Sequence, residues 1–347
     1  MGVLVFKHLR VFSIFFLFGI PIIGLAQTPL NDHSWDNVFD DNFETLNTTR
    51  WYHNNHVHGT GSDEDAYAYM NDNAYVSSMV LFPQRKRLIF KMEKVPEGFP
   101  HPGSGPCVYP GGKHYYKSGI IQSCQVFKYG YFEVTTKMPM GYQFFPAFWL
   151  YVRNIQNGYH EIDIFEVFQG LENAITTNLH WNFESPVNYH ELHDTIKYTY
   201  VDNIHSYHKY AVEWTKSRII WFVDDKIIRV EKNNIEGIGM HSPMELIVNL
   251  ARSTRDSDEH GTIYPGYMYI KNVKVAEMRC DIYNDVVDIS DFNVYDFALK
   301  RSIKLSGATT IPQGSNLSFR ATNFIELSNG LEIPQGTEVY FEVGEYQ

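Results

Sequence analysis

Residues 128–150 read KYGYFEVTTKMPMGYQFFPAFWL and contain two patterns typical of β-strands. In the first half, Phe132, Val134, Thr136 and Met138 alternate with a second set of side chains. A period of two predicts a strand with one buried face. Residues 146–151, PAFWLY, form a more continuous apolar run, which is typical of a strand covered on both sides.

The same patterns extend outward from this stretch. From Trp35 onward the chain reads as short strands separated by turn residues, for example over residues 207–230, 244–251 and 267–276. No long amphipathic helix is evident in the sequence. Many short strands without helices predict an all-β fold in the form of a β-sandwich.

The segment 159–168, YHEIDIFEVF, places three carboxylates among apolar side chains. Glu161 and Asp163 are two residues apart, so a strand would point both to one face. Glu166 is five residues from Glu161, which would put it on the opposite face. One extra residue in a β-bulge near Ile164 and Phe165 would return Glu166 to the shared face.

Two Glu flanking an Asp on one face suit acid/base and nucleophilic work on a glycosidic bond. A retaining mechanism needs its two carboxyl groups about 5–5.5 Å apart. From the spacing alone, either Glu161 or Glu166 could be the nucleophile. The same spacing also fits carboxylates that simply alternate outward on an amphipathic strand.

The order of several segments favours catalytic carboxylates over an ordinary amphipathic strand. After KYGYFEVTTKMPMGYQFFPAFWL comes HEIDIFE (160–166), and TNLHW (177–181), YHKYAVEWTKSRIIWFVDDK (207–226) and MELIVNLA (244–251) follow in order. This ordered set resembles glycoside hydrolase family 16 over about residues 35–278. The resemblance implies a concanavalin A-like jelly-roll β-sandwich and retaining hydrolysis of a β-linked polysaccharide, of β-1,3-glucan or marine galactan type.

The resemblance also implies roles for the three carboxylates. Glu161 falls at the nucleophile, Glu166 at the acid/base position and Asp163 at the assisting carboxylate. The bulged ExDxxE form is typical of laminarinase-like, agarase-like and carrageenase-like members.

Three further residues are expected to bind substrate through the same resemblance. Trp149 matches a sugar-stacking tryptophan, while His180 and Trp181 fall on a strand of the cleft. For all three, packing in the core is the alternative, because aromatic side chains are mostly buried.

The sequence departs from the family at several positions. His160 stands where the family often has Gly, and ARSTRDSDEHG (251–261) replaces a glycine-rich stretch. In that segment Arg252 and Arg255 could contact sulfate or uronate groups, or be solvated loop charges, and we favour the second. Lys271 stands where the family commonly has an Asp ligand for structural calcium. We expect no metal at the site and no cofactor, and the sequence leaves open whether a structural calcium is kept.

The first 26 residues predict a secretory signal peptide. Lys7 and Arg10 precede an apolar run over 11–25, which is interrupted by Pro21 and short of a membrane span, and small residues end at Ala26. We therefore expect a secreted protein, located outside the cell, in a periplasm or on the cell surface, with no membrane span. In an oxidising compartment Cys107 and Cys124 could pair, which the sequence does not establish.

The charge of the chain excludes one class of partner. There are 40 Asp and Glu against 29 Lys and Arg, a net charge of −11. An acidic protein is a poor binder of nucleic acid. A neutral polysaccharide would be indifferent to this charge, whereas a sulfated one would need a local basic patch.

After Cys280 the sequence becomes repetitive. Residues 303–319, IKLSGATTIPQGSNLSF, match residues 325–341, IELSNGLEIPQGTEVYF, with a period of 22. Two such units predict a small module of stacked hairpins. We thus divide the chain into a signal peptide (1–26), a catalytic β-sandwich (27–280) and a C-terminal β repeat module (281–347).

The function predicted is an endo-acting glycosidase. Two alternatives stay open at this point: a non-catalytic, lectin-like polysaccharide binder, and a transglycosylase in which a sugar replaces water. The sequence leaves the oligomeric state undetermined.

Overall fold

A computed structural model describes most of the chain. The residues described are 4–6, 35–53, 56–58, 67–79, 82–100, 113–154, 158–167, 173–182, 193–194, 196–216, 218–232, 240–253, 260–278, 286–289, 300–305, 311, 313, 316–328 and 330–343. Cys107 and Cys280 lie outside these ranges, so the pairing of Cys107 with Cys124 stays a prediction. Cys124 is exposed.

The described part of the chain is built from β-strands and one short 3₁₀-helix. The strands are β1 (Leu4–Phe6), β2 (Trp35–Asp41), β3 (Trp51–Tyr52), β4 (His56–His58), β5 (Tyr67–Tyr69), β6 (Ala74–Met79), β7 (Phe82–Pro100), β8 (Lys113–Ser118), β9 (Ile120–Phe127), β10 (Gly130–Lys137), β11 (Phe144–Asn154), β12 (Gly158–Glu166), β13 (Ala174–Asn182), β14 (His193–Asp194), β15 (Lys197–Tyr200), β16 (His208–Trp214), β17 (Arg218–Val223), β18 (Lys226–Lys232), β19 (Met244–Arg252), β20 (Gly266–Met278), β21 (Val286–Ile289), β22 (Lys300–Leu305), β23 (Asn316–Leu327) and β24 (Glu338–Val343). The 3₁₀-helix is Asn71–Asn73.

Two large sheets form the sandwich. Among the described residues, an eleven-stranded sheet has the order β18-β17-β16-β10-β20-β7-β8-β5-β4, with β2 beside β20 and β6 beside β7. An eight-stranded sheet has the order β14-β13-β12-β11-β19-β9-β3, with β15 beside β13. Neighbouring strands within these sheets are antiparallel, except for the parallel pair β5 and β8. The predicted jelly-roll β-sandwich is confirmed.

One hydrophobic core lies between the two sheets. Phe132 and Val134 of β10 contribute from the first sheet, and Phe148 and Leu150 of β11 contribute from the second. All four side chains are fully buried. The alternation in the opening stretch therefore assigns the inward face correctly, because residues i and i+2 of a strand share a face.

The repeat module forms a separate sheet, and the expectation of stacked hairpins is wrong. β22, β23 and β24 pair in parallel, and Ile303 lies beside Ile325 as the 22-residue period requires. In the same way Phe319 stacks on Phe341, with ring centroids 5.3 Å apart. A hairpin is antiparallel, so each unit instead repeats the path of the unit before it.

Strand β1 lies within the predicted signal peptide, and in this structure it pairs with β23. Over the described ranges, no helix combines the length and the apolarity that crossing a membrane would require.

Candidate active site

The carboxylates of β12 share a face because the strand carries a bulge. Against β13, the register shifts between Asp163 and Glu166. Ile164 and Phe165 are both buried in the core, at 1% and 0% exposure. Two consecutive inward side chains account for the extra residue, so Glu166 rejoins the face of Glu161 and Asp163. The predicted bulge is confirmed.

Cross-strand pairing extends these three positions into rows across the eight-stranded sheet. Residues directly opposite one another on antiparallel strands point to the same face. We call this face, away from the core, the active-site face. The Glu161 row is Asp194, His180, Glu161, Tyr151, Glu245 and Val126; the Asp163 row is Asn178, Asp163, Trp149, Ile247, Gln122 and Tyr52; the Glu166 row is Tyr198, Thr176, Glu166, Ala147, Asn249 and Ile120.

Asp163 is the most buried of the three carboxylates, with 1% exposure. Burial raises the pKa of Asp163 well above its usual range, and the charge of Glu166 raises it further. A hydrogen bond with Glu161 and the charge of Arg229 act in the opposite direction and are weaker. Desolvation is the largest of these causes, so the site favours the neutral form of Asp163 more than water would.

His180 stands beside this pair in a defined tautomer. The Asn178 side-chain oxygen accepts a hydrogen bond from the Leu179 N–H, at 2.9 Å. The amide nitrogen of Asn178 therefore faces the His180 Nε2, at 3.0 Å, and donates to it. The Nε2 also lies 3.2 Å from Asp163 Oδ2.

The opposite sheet supports the catalytic strand from the core side. The indole N–H of Trp221 donates to the Asp163 carbonyl oxygen at 2.8 Å. The buried Arg229 lies over the Trp221 ring, 4.6 Å from its centroid, and donates to the Thr177 carbonyl oxygen at 2.8 Å. These contacts tie β12 and β13 to the hairpin of β17 and β18. Desolvation lowers the pKa of Arg229, and Glu231 and Asp163 favour its charged form.

Trp149 is held in place within the Asp163 row. Its indole N–H donates to the Asn249 side-chain oxygen at 2.8 Å, and the Asn249 amide donates to the Tyr69 hydroxyl at 2.9 Å. The Tyr151 ring meets Trp149 edge to face, with centroids 5.4 Å apart. Trp149 remains partly exposed on the active-site face. The contact of Trp149 with substrate stays a prediction, and the position of the ring is compatible with it.

The structure separates His180 from Trp181, which the sequence had grouped. His180 is on the active-site face, opposite Glu161. Trp181 is 9% exposed and belongs to the hydrophobic core. Adjacent residues of a strand point to opposite faces, so both could not line one site. Trp181 is therefore not part of the active-site face, and its predicted substrate contact is wrong.

Arg252 has other surroundings than the sequence analysis predicts. Arg252 is 2% exposed, and its guanidinium lies 4.3 Å from the Tyr116 ring centroid. It is therefore a buried cation and not a solvated loop charge. Arg255 lies outside the described residues. Lys271 is exposed, and an ammonium group cannot ligate calcium, so the residue at this position does not fit the family's calcium site.

One group of side chains has the donor atoms for a cation. Glu161, Asp163 and His180 place one ligand atom each within 4.8 Å of one another. Two of the three, Glu161 and Asp163, are also carboxylates for which the sequence analysis predicts roles in hydrolysis. The expectation of no metal stays a prediction.

Residues 67–269 match the family model described as glycosyl hydrolases family 16. The chain belongs to this family. The match covers more than half of the chain and includes β11, β12, β13 and β19, which carry the rows described above.

Two relatives match parts of this chain. An endo-1,3-1,4-beta-glycanase, ExsH, of Rhizobium meliloti (strain 1021) is 30% identical over 138 residues, which are 39% of this chain and 28% of ExsH. Glucan endo-1,3-beta-glucosidase A1 of Niallia circulans is 27% identical over 242 residues, which are 62% of this chain and 33% of the relative. The chain thus spans about a third of these relatives or less.

A solved structure supports the fold. The catalytic domain of an endo-1,3-beta-glucanase (laminarinase) from Thermotoga petrophila RKU-1 aligns with a TM-score of 0.55 at 22% identity. The alignment covers 71% of this chain and 98% of that domain.

The sequence-based prediction missed four residues that hydrogen-bond to the strands or side chains of the active-site face. They are Arg229, Trp221, Asn249 and Tyr69. Asn249 did carry a signal, because it is the one amide in the apolar strand MELIVNLA. The others are supplied by strands distant in sequence, and their spacing carries no motif.

Proposed function

We propose that this protein is a secreted, retaining endo-β-glycosidase that hydrolyses a β-linked polysaccharide of β-1,3-glucan or marine galactan type. The observation that carries the proposal is the bulge of β12, which aligns Glu161 and Glu166 on one face with the buried Asp163 between them. The names of the relatives favour β-glucan. The signal peptide predicted over residues 1–26 supports secretion.

The chemistry assigns the two glutamates different tasks. Glu161, ionised and hydrogen-bonded to Asp163, attacks the anomeric carbon, while Glu166 gives its proton to the departing oxygen. This forms a glycosyl-enzyme and releases the leaving sugar. Glu166 then takes a proton from water, which displaces Glu161 and restores the first state. Asp163 gives up no proton in either step.

The width of the active-site face supports internal cleavage of a polysaccharide chain. From Tyr198 on β15 to Tyr52 on β3, the active-site face spans six interstrand steps, roughly 29 Å at about 4.8 Å each. A face this wide, with Trp149 near its middle, accommodates several consecutive sugars.

The direct test is sugar release from a panel of β-glucans, agars, porphyrans and carrageenans. We expect Glu161→Gln and Glu166→Gln each to reduce the release of reducing ends by at least about 10²-fold, because each removes an acid/base or nucleophilic group. The matched control is Glu277→Gln, which changes an exposed glutamate on β20 and should leave release unchanged. The first product detected by NMR should keep the β-anomeric configuration.

Other outcomes separate the alternatives. Binding to a polysaccharide without release from any member of the panel would indicate a lectin-like protein. Products longer than the substrate would indicate transglycosylation. Release unaffected by Glu161→Gln would overturn the assignment of roles.

A further inference from the structure

The edge of the eight-stranded sheet carries two exposed tyrosines. Tyr198 and Tyr200 of β15 are 58% and 72% exposed, with the half-buried Thr199 between them. A spacing of two places both rings on one face of the strand. Neighbouring exposed aromatic side chains on a folded surface are a feature of interaction sites.

The pairing of β15 with β13 shows which face this is. Tyr198 lies opposite Thr176, and Thr176 lies opposite Glu166. Tyr200 lies opposite Ala174, one row beyond. Tyr198 is therefore in the row of Glu166, two strands away, at roughly 10 Å. The two rings continue the active-site face beyond the acid/base residue.

Among the described residues, the side chains between the rings and Glu166 on this face are small. The intervening side chains are Thr176, which is buried and donates to the Glu166 carbonyl oxygen at 3.2 Å, and Ala174. Within the described ranges, neither tyrosine ring stacks on another ring or on a cation. The Tyr200 hydroxyl has one polar neighbour, Asp202, at 3.5 Å. The ring faces are thus available to a ligand.

We propose that Tyr198 and Tyr200 form a platform that stacks on the sugars bound at the β15 end of the active-site face. This inference rests on the proposed function and adds to it. A chain bound across the strands, along the Glu166 row, reaches these two rings once it passes β13. The ligand is a run of pyranose rings whose axial C–H groups give them apolar faces, as in a β-linked polysaccharide.

The platform favours uncharged sugars at these positions. The nearest basic residue of the strand, Lys197, lies opposite Thr177 and therefore points to the other face. No side chain of the platform carries a positive charge that would compensate a sulfate or a uronate. On this basis the part of the substrate at the β15 end is neutral.

The experiment compares a polymer that spans the active-site face with a substrate too short to reach β15. Wild type, the Tyr198→Ala/Tyr200→Ala double variant and the Tyr198→Phe/Tyr200→Phe double variant are assayed on a neutral β-glucan and on a short β-glycosyl fluoride. We expect the alanine variant to lose about tenfold in kcat/KM on the polymer, about 1.4 kcal/mol, and to retain activity on the fluoride. The phenylalanine variant should match wild type on both substrates. Tyr207→Ala, which removes a tyrosine outside β15, is the control.

Other outcomes would contradict the platform or the proposed function. Equal losses on polymer and fluoride, or no loss on the polymer, would overturn the platform while leaving the proposed function intact. If wild type cleaves no member of the panel, the proposed function fails. The platform is then judged by electrophoresis through gels containing the β-glucan: retardation abolished by the alanine variant and kept by the phenylalanine variant supports it, and any other pattern overturns it.

Discussion

His160 precedes Glu161 in the chain but points to the other face of β12, so the two side chains have opposite environments. His160 is 4% exposed and lies opposite Trp181 and Val152. Burial lowers the pKa of His160 to about 4, with a further contribution from His241. The histidine at this position, where the family often has glycine, is therefore a neutral core residue beneath the nucleophile.

This burial predicts a pH-dependent stability. Because the folded-state pKa is depressed, the unfolded chain binds the proton more tightly, and stability is lost as pH falls from about 6.5 towards 4, by about 3 kcal/mol in full. His160→Gln should remove this part of the acid sensitivity. Urea unfolding at pH 4.5 and pH 7.5 measures it, with the exposed His260→Gln as control. The same pH dependence in His160→Gln and wild type would contradict the prediction.

At the residue scale, the sequence predicts positions better than protonation states. The spacing of Glu161, Asp163 and Glu166 was sufficient to predict a shared face with a bulge. The raised pKa of Asp163 was not predictable to the same degree, because its desolvation depends on strands that are distant in sequence. The same holds for Arg229, which reaches the catalytic strand from β18.

At the scale of the element, the bulge of β12 decides which face Glu166 occupies. Inserting one alanine between Phe165 and Glu166 should turn Glu166 towards the core and lower activity by about 10³-fold, the range of a lost general acid. Deleting Ile164 should instead restore a regular strand with Glu166 still on the active-site face, at some cost in core packing. The deletion variant should therefore retain more activity than the insertion variant in a reducing-sugar assay.

A control shows whether the insertion acts through the face. An alanine inserted between Asp224 and Asp225, in the turn between β17 and β18, lengthens the chain without reversing a catalytic strand. It should retain activity. If the insertion before Glu166 is equally active, the bulge does not set the face of the acid/base residue.

Other elements show where pattern reasoning stops. Alternation in β10 assigns Phe132 and Val134 inward, yet Tyr131 and Glu133 on the other face are also buried, at 0% and 3% exposure. Periodicity identifies two faces but not what covers each of them. In the tail, the 22-residue period was evident, but a period alone does not distinguish hairpins from parallel strands.

At the scale of the whole molecule, the sandwich and the repeat module have separate cores. Among the described residues, the module's buried cluster includes Ile303, Phe319 and Ile325 and shares no member with the core of the sandwich. Removing residues 281–347 should therefore leave activity on soluble substrate within about twofold of wild type, since distant sites with no shared partners act independently. We propose that the module serves attachment to substrate or to a surface.

The measurement is kcat/KM of the truncated protein, with its thermal unfolding recorded in parallel. A truncated protein that does not fold would show that residues 281–347 complete the sandwich. Binding to insoluble polysaccharide, lost on truncation while soluble activity is kept, would support the attachment role.

Because the strands of the tail pair in parallel with a 22-residue period, the tail can be lengthened by whole repeat units. Advancing 22 residues along the chain moves it by one strand spacing, about 4.8 Å, and returns Ile to Ile and Phe to Phe. Duplicating one such unit would add a rung and repeat contacts that already exist. The catalytic sandwich offers no comparable freedom, because one added residue in β12 reverses a catalytic side chain. Insertion therefore has different effects on the two parts of the chain. A repeat unit added to the tail would lengthen it, whereas a residue added to β12 would remove Glu166 from the active-site face.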